Sequence, residues 1–224
     1  MAGEPVISVR GEAVIEVEPE IARVEVTVMA RDRDRRRAID LLAGRSRRVA
    51  AAIKVFGDAM ERLESHPVTA YPEFKEGKGK ERIAGYVAEG GFTVTVADFA
   101  VLGELVSSVA TEELVSVAGP AWLLRTGSPV WRQARLAAAR DATQRAREYA
   151  EAFGARITGL VEAADSGLLT ESHEREAPFA VRTAARFSAA AAEGLAEFDF
   201  SPARQTVTAQ VEARFTMTQP SLND

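Results

Sequence analysis

Ser128-Pro129 and the unbroken run that follows to Gly154 constrain this chain more than any other feature of its sequence. Serine is a favoured helix N-cap, proline suits the first helical position, and glycine commonly ends a helix in a left-handed conformation. The spacing predicts a helix to about Phe153, with Trp131, Ala134, Ala138, Ala142, Ala146, Tyr149 and Phe153 on its buried stripe. So many alanines leave little side chain to interpose, so this helix must lie close against its partner. The remainder of the chain supplies a sheet for it to lie on.

Strand patterns alternate with a second helical pattern. Ile7, Val9, Ala13, Ile15 and Val17 recur with period two in Val6–Val17, as do Val24, Val26 and Val28 after Pro19. The short break between them predicts a hairpin. Asp34 to about Val55 reads as a helix with Ala38, Leu41, Leu42, Val49, Ile53 and Phe56 inward, stopped at Gly57-Asp58. His66–Phe74, with Pro67 and Pro72, predicts an edge or irregular strand. A turn over Glu76–Lys80 leads to a strand over Arg82–Val96, where Gly90-Gly91 predicts a bulge or bend. Asp98 caps a short helix to about Ala110, and strands follow at Val115–Leu124, Ile157–Ala163 and Thr206–Met217. Residues from about 165 to 204 are Ala-, Glu- and Ser-rich and predict a long loop or partly disordered insertion. The fold expected is α+β: one domain over 1–224, an antiparallel or mixed sheet with long helices packed on one side.

Composition narrows the function classes. The chain has no cysteine, which excludes disulfides, thiolate nucleophiles, thiolate zinc sites and iron–sulfur clusters. Its net charge of −5 disfavours nucleic acid as the main partner. Neither a signal peptide nor an apolar membrane-spanning stretch is visible, so the sequence as it stands reads as cytoplasmic. No cofactor or metal site is expected.

The catalytic candidates are few. Only His66 and His173 could serve as an imidazole base, and neither has a nucleophile motif or a second imidazole nearby. His66 precedes Pro67 at a strand start and reads as structural or surface. His173 falls in the long loop. Asp58, Glu61 and Glu64 lie on a polar segment and read as solvent-facing carboxylates, although paired acids could do acid–base work. Lys78-Gly79-Lys80 lacks the helix and hydroxyl residue of a phosphate loop and reads as a hairpin turn. Tyr86, Trp122 and Trp131 read as core fillers, with a ligand pocket as the alternative.

The arginine-rich run stands apart. Arg31, Arg33, Arg35, Arg36 and Arg37 precede or open the first helix, with Arg45, Arg47 and Arg48 beyond, diluted by Asp32, Asp34 and Asp40. A solvated face is the plain reading, while Arg33, Arg35, Arg36 and Arg37 form a candidate anion-binding or subunit-contact patch that could meet anionic lipid or nucleic acid.

Four ordered patches carry a family resemblance. Val9-Arg10-Gly11-Glu12-Ala13 with Val17-Glu18-Pro19-Glu20-Ile21-Ala22 comes first, then Ile83-Ala84-Gly85-Tyr86-Val87-Ala88. Ala134-Arg135, Ala139, Asp141-Ala142, Ala146, Ala150, Phe153-Gly154 and Gly159 form the third, and Val207–Phe215 the fourth. Together they resemble the SIMPL-domain family, with Ala13 and Glu20 in place of the family's second glycine and its aspartate. The resemblance implies an α+β fold, no established enzymatic activity, homo-oligomers or contacts with other proteins, and a scaffolding or stress-protection role. It also implies periplasm or cell envelope as the alternative location. An unrecognised carboxylate enzyme and polyanion binding through the arginine-rich helix are the competing functions.

Overall fold

The computed structural model describes residues 4–75, 82–166, 168 and 200–221. In chain order the elements are β1 (Val6–Val17), β2 (Ile21–Asp32), α1 (Arg35–Lys54), β3 (Met60–Ser65), β4 (Thr69–Lys75) and β5 (Arg82–Val96). They continue with α2 (Leu102–Ala110), β6 (Val115–Leu123), α3 (Pro129–Ala152), β7 (Ile157–Asp165) and β8 (Gln205–Met217). All strand pairs are antiparallel, and the fold is α+β. Across the span expected as one domain, packing defines two compact units, each with its own sheet.

The first unit orders its strands β1-β8-β7 and lays α3 on β1 and β8. Ser128 caps α3 as expected, its Oγ accepting from the Val130 N–H at 3.3 Å, with Pro129 in the first turn. Gly154 ends it at φ +64°, a conformation that costs glycine little. Ala134, Ala138, Ala142, Ala146 and Ala150 are buried. The expected stripe errs at its aromatic end, because Tyr149 and Phe153 are exposed. Gly11 explains why the stripe is so small. A Cβ there would sit 2.1 Å from the Ala138 carbonyl oxygen and 2.7 Å from the Ala142 Cβ, so strand and helix backbones nearly touch.

The second unit orders its strands β3-β5-β2-β6, with β4 pairing β5 beyond the end of β3. One face of β2 (Ala22, Val24, Val26, Val28, Ala30) is fully buried, together with Leu42 and Ile53 of α1 and Leu102, Leu105 and Val109 of α2. Asp34 caps α1 by accepting the Arg37 N–H at 2.9 Å, and Asp98 accepts from the Ala100 N–H at 3.0 Å. Leu41, expected inside, is exposed.

Three expectations are corrected. β1 and β2 form no hairpin: β1 pairs β8 over its whole length, and β2 pairs β5 and β6. Glu18-Pro19-Glu20 offers no residue suited to the positive φ that tight hairpins need, and it carries the chain from one unit to the other. The polar segment after α1 contains a strand, β3, although Glu61 and Glu64 remain exposed on it. Gly90-Gly91 makes no bulge against β2, whose register with β5 is unbroken from Ala22↔Val96 to Asp32↔Tyr86. Instead, a Cβ on Gly91 would lie 2.1 Å from the Val26 carbonyl oxygen, so the glycine permits close backbone approach. The turn at Glu76–Lys80 and most of the expected insertion at 165–204, including His173, lie outside the described residues.

Candidate functional site and interaction surfaces

His66 is part of a polar cluster that its sequence neighbours do not announce. Glu25 of β2 stands directly opposite Thr93 of β5, so their side chains share one sheet face. The link between β3 and β4 brings His66 to the same place, with its backbone N–H donated to the Gly91 carbonyl at 2.9 Å. Thr93 Oγ1 donates to Glu25 Oε2 at 2.7 Å, and His66 Nε2 lies 2.9 Å from that hydroxyl and 3.1 Å from that carboxylate. Gly91 leaves room for the ring, since a Cβ there would sit 3.0 Å from His66 Nδ1. In a nucleophilic triad one imidazole nitrogen takes the hydroxyl proton while the other is oriented by the carboxylate. Here a single nitrogen faces both partners, and the Thr93 hydroxyl donates its hydrogen bond to the Glu25 carboxylate. That geometry differs from a triad's and ties two strands and a link together.

Asp141 plays a comparable part in the first unit. From α3, its Oδ2 accepts the Glu12 N–H of β1 at 2.9 Å and the Arg145 Nε–H at 2.8 Å. β1 is an outer strand of its sheet, so the aspartate occupies a backbone donor that an edge would otherwise present. Gly11 and Ala142 flank this contact, which gives two of the resemblance-bearing patches a shared physical purpose: docking β1 under α3.

The arginine-rich run divides in two. Arg48 pairs with Glu112 at 3.1 Å, and half-buried Arg45 donates to the Met29 carbonyl with Glu113 3.7 Å away. Arg47 stays on its own helix, donating to the Ala43 carbonyl at 3.3 Å. Toward the start of α1, Arg35 reaches the Ala70 carbonyl of β4 at 3.3 Å, and Arg31 approaches Glu73 of β4 at 3.9 Å. Arg33, Arg36 and Arg37 are exposed, with no side-chain partner among the described residues. The candidate patch therefore holds one tethered arginine, Arg35, and three untethered ones.

The aromatic candidates are accounted for within their own units. Tyr86 and Trp122 pack on the second unit's core, where Trp122 meets Phe99 edge-to-face at 4.9 Å. Trp131 belongs to the first unit and donates its indole N–H to the Arg125 carbonyl at 3.0 Å. Asp58, Glu61 and Glu64 are exposed; Glu64 lies 3.5 Å from Arg62. Lys78-Gly79-Lys80 falls outside the described residues.

An exposed strand edge and a helix face are the two kinds of surface through which copies of such a chain could meet. The alanine face of α3 is already buried within its unit and is not available. Along Val68–Phe74, β4 pairs only with β5, and Val68, Tyr71 and Phe74 are 63%, 45% and 51% exposed. Sequence reading identified that edge through its prolines and the arginines through their density. It missed Glu25 and Thr93, whose meeting depends on a strand register that no local pattern encodes. No curated protein shows significant similarity to the chain. The profile of the SIMPL family, a protein of unknown function (DUF541), matches residues 7–215 of the 224. The chain belongs to the SIMPL family.

Proposed function

We propose that this protein is a non-enzymatic, self-associating SIMPL-family member with a scaffolding or stress-protection role. The observation that carries the reading is the outer edge of β4, which has no strand beside it among the described residues, has one carbonyl (Ala70) met by Arg35, and is lined by exposed Val68 and Tyr71. Unpaired strand edges are templates for another strand, and natural proteins usually blunt them. Within β4, Pro72 and the register break at Glu73/Phe74 blunt the far end, which leaves residues 68–71 as the open stretch. The other outer strands are blunted as well. β1 has a backbone donor taken by Asp141, β7 carries two register breaks against β8, β6 contains Pro120, which has no N–H, and β3 has a register break against β5 and exposed Glu61, Arg62 and Glu64. Pairing of two β4 edges would cover Val68 and Tyr71 and satisfy backbone groups on both copies.

Size-exclusion chromatography with light scattering tests the reading. The expected result is a defined multiple of the 24.1 kDa chain, with Val68→Lys shifting the protein toward the single chain, since an edge lysine opposes pairing. A strict monomer across the accessible concentration range contradicts it.

A further inference from the structure

One end of the second unit combines two features that are unfavourable in water. The first is charge. Arg35, Arg36 and Arg37 occupy the opening turn of α1, which contains no acidic residue. The positive end of a helix dipole favours anions, so three cations there work against the helix. Lys75 stands directly opposite Arg82 in the β4–β5 ladder, a like-charge pair that opposes strand pairing. Both groups lie at the same end: Arg35 bonds the Ala70 carbonyl of β4, and a Cβ on Gly85 of β5 would lie 3.8 Å from the Arg33 Cα. Among the described residues, basic side chains outnumber the acids Asp32, Asp34 and Glu73 here, in a chain whose net charge is −5. Those acids are also engaged, Asp32 by the Asp34 N–H at 2.8 Å, Asp34 by the Arg37 N–H at 2.9 Å, and Glu73 facing Arg31 at 3.9 Å.

The second feature is apolar. β2 ends at Asp32, opposite Tyr86, so among the described residues the 82–84 part of β5 pairs with β4 alone. On this ribbon Phe74 and Ile83 form a cross-strand pair, 51% and 53% exposed. An apolar pair on a two-stranded ribbon, at the same end as guanidinium groups with no side-chain partner among the described residues, matches the chemistry of an interfacial anchor. Side chains of this kind enter the boundary between headgroups and acyl chains, while arginines meet phosphate and carboxylate headgroups.

We infer that this end of the second unit docks on an anionic lipid surface, with Phe74 and Ile83 entering the interface and Arg33, Arg36 and Arg37 holding the headgroups. A lipid surface is favoured over a nucleic acid on two grounds. The net negative charge of the rest of the chain opposes a long polyanion, whereas a short basic end meets a flat surface without drawing the rest in. The apolar pair also has no role against a phosphate backbone. The inference is independent of self-association through the β4 edge.

The test is partition of the full chain onto vesicles of phosphatidylcholine alone or with about one-third phosphatidylserine, read by co-sedimentation. The protein binds the anionic vesicles and not the neutral ones, and added salt releases it. Combined Arg33→Gln, Arg36→Gln and Arg37→Gln weakens partition on the order of a hundredfold, about fivefold per arginine. This variant removes cations from a helix start, so its melting temperature does not fall, and lost binding cannot be ascribed to unfolding. Phe74→Ser with Ile83→Ser weakens partition about tenfold at unchanged salt dependence. Equal binding to neutral vesicles, or unchanged partition of the triple variant, overturns the inference. So does capture of short duplex DNA without vesicle binding, which would make the partner a nucleic acid.

Discussion

The two units solve the same problem, a helix on a sheet, in opposite ways. In the first, α3 presents a column of alanines and β1 presents Gly11, so contact is made by removing side chains until backbones meet. In the second, α1 and α2 press Leu42, Ile53, Leu102 and Leu105 onto the valines of β2 and β5, and large side chains fill a thicker layer. The difference is one of tolerance. A layer made thin by small residues cannot accept added atoms, whereas a layer filled by large ones cannot lose them.

Substitutions in each unit probe that contrast, and the largest effect is expected in the thick layer. Leu105, fully buried, leaves a cavity on mutation to alanine, and Leu105→Ala lowers stability by about 3 kcal/mol in denaturant melts. Hydrogen exchange should place the loss in β2 and β5. Gly11→Ala adds a single carbon yet destabilises by about 2 kcal/mol, because that carbon meets backbone and not a movable side chain. Its exchange signature belongs in β1 and α3. A benign Gly11→Ala would show that the helix can lift without cost, and the contrast would fail. Asp141→Ala removes a charge-assisted hydrogen bond at a part-exposed site and costs about 1 kcal/mol, again confined to the first unit. The smallest effect has the opposite sign: Arg36→Gln with Arg37→Gln raises stability by about 0.3–1 kcal/mol by relieving the helix dipole.

The sequence was most informative where local chemistry sets structure. Ser128-Pro129 and Gly154 bound α3, Asp34 caps α1, and the alternation in β1, β2 and β8 identified strands, because caps and periodicity are written in consecutive residues. What it could not convey was partner choice. Val6–Val17 reads the same whether it pairs Ile21–Asp32 or the last strand of the chain, and only the closing of the first unit around α3 selects β8. β3 stayed hidden because Met60–Ser65 is mostly polar and exposed, held by its ladder with β5 and not by a buried face. The His66–Glu25–Thr93 cluster was illegible for the same reason, since its members come from three segments aligned by register. For the surfaces, the arginines could be counted in advance, but which were tethered could not. Arg45 and Arg48 find Glu113 and Glu112 only after α2 brings those acids back beside α1.

The proposal that the molecule acts by associating with its own copies rests on the β4 edge, and amide hydrogen exchange at Thr69, Ala70 and Tyr71 over a range of protein concentrations tests it most directly. Slower exchange at these amides as concentration rises, with the β1 amides unchanged, is the expected result. Exchange at β4 that is fast and independent of concentration while the protein remains folded would contradict it.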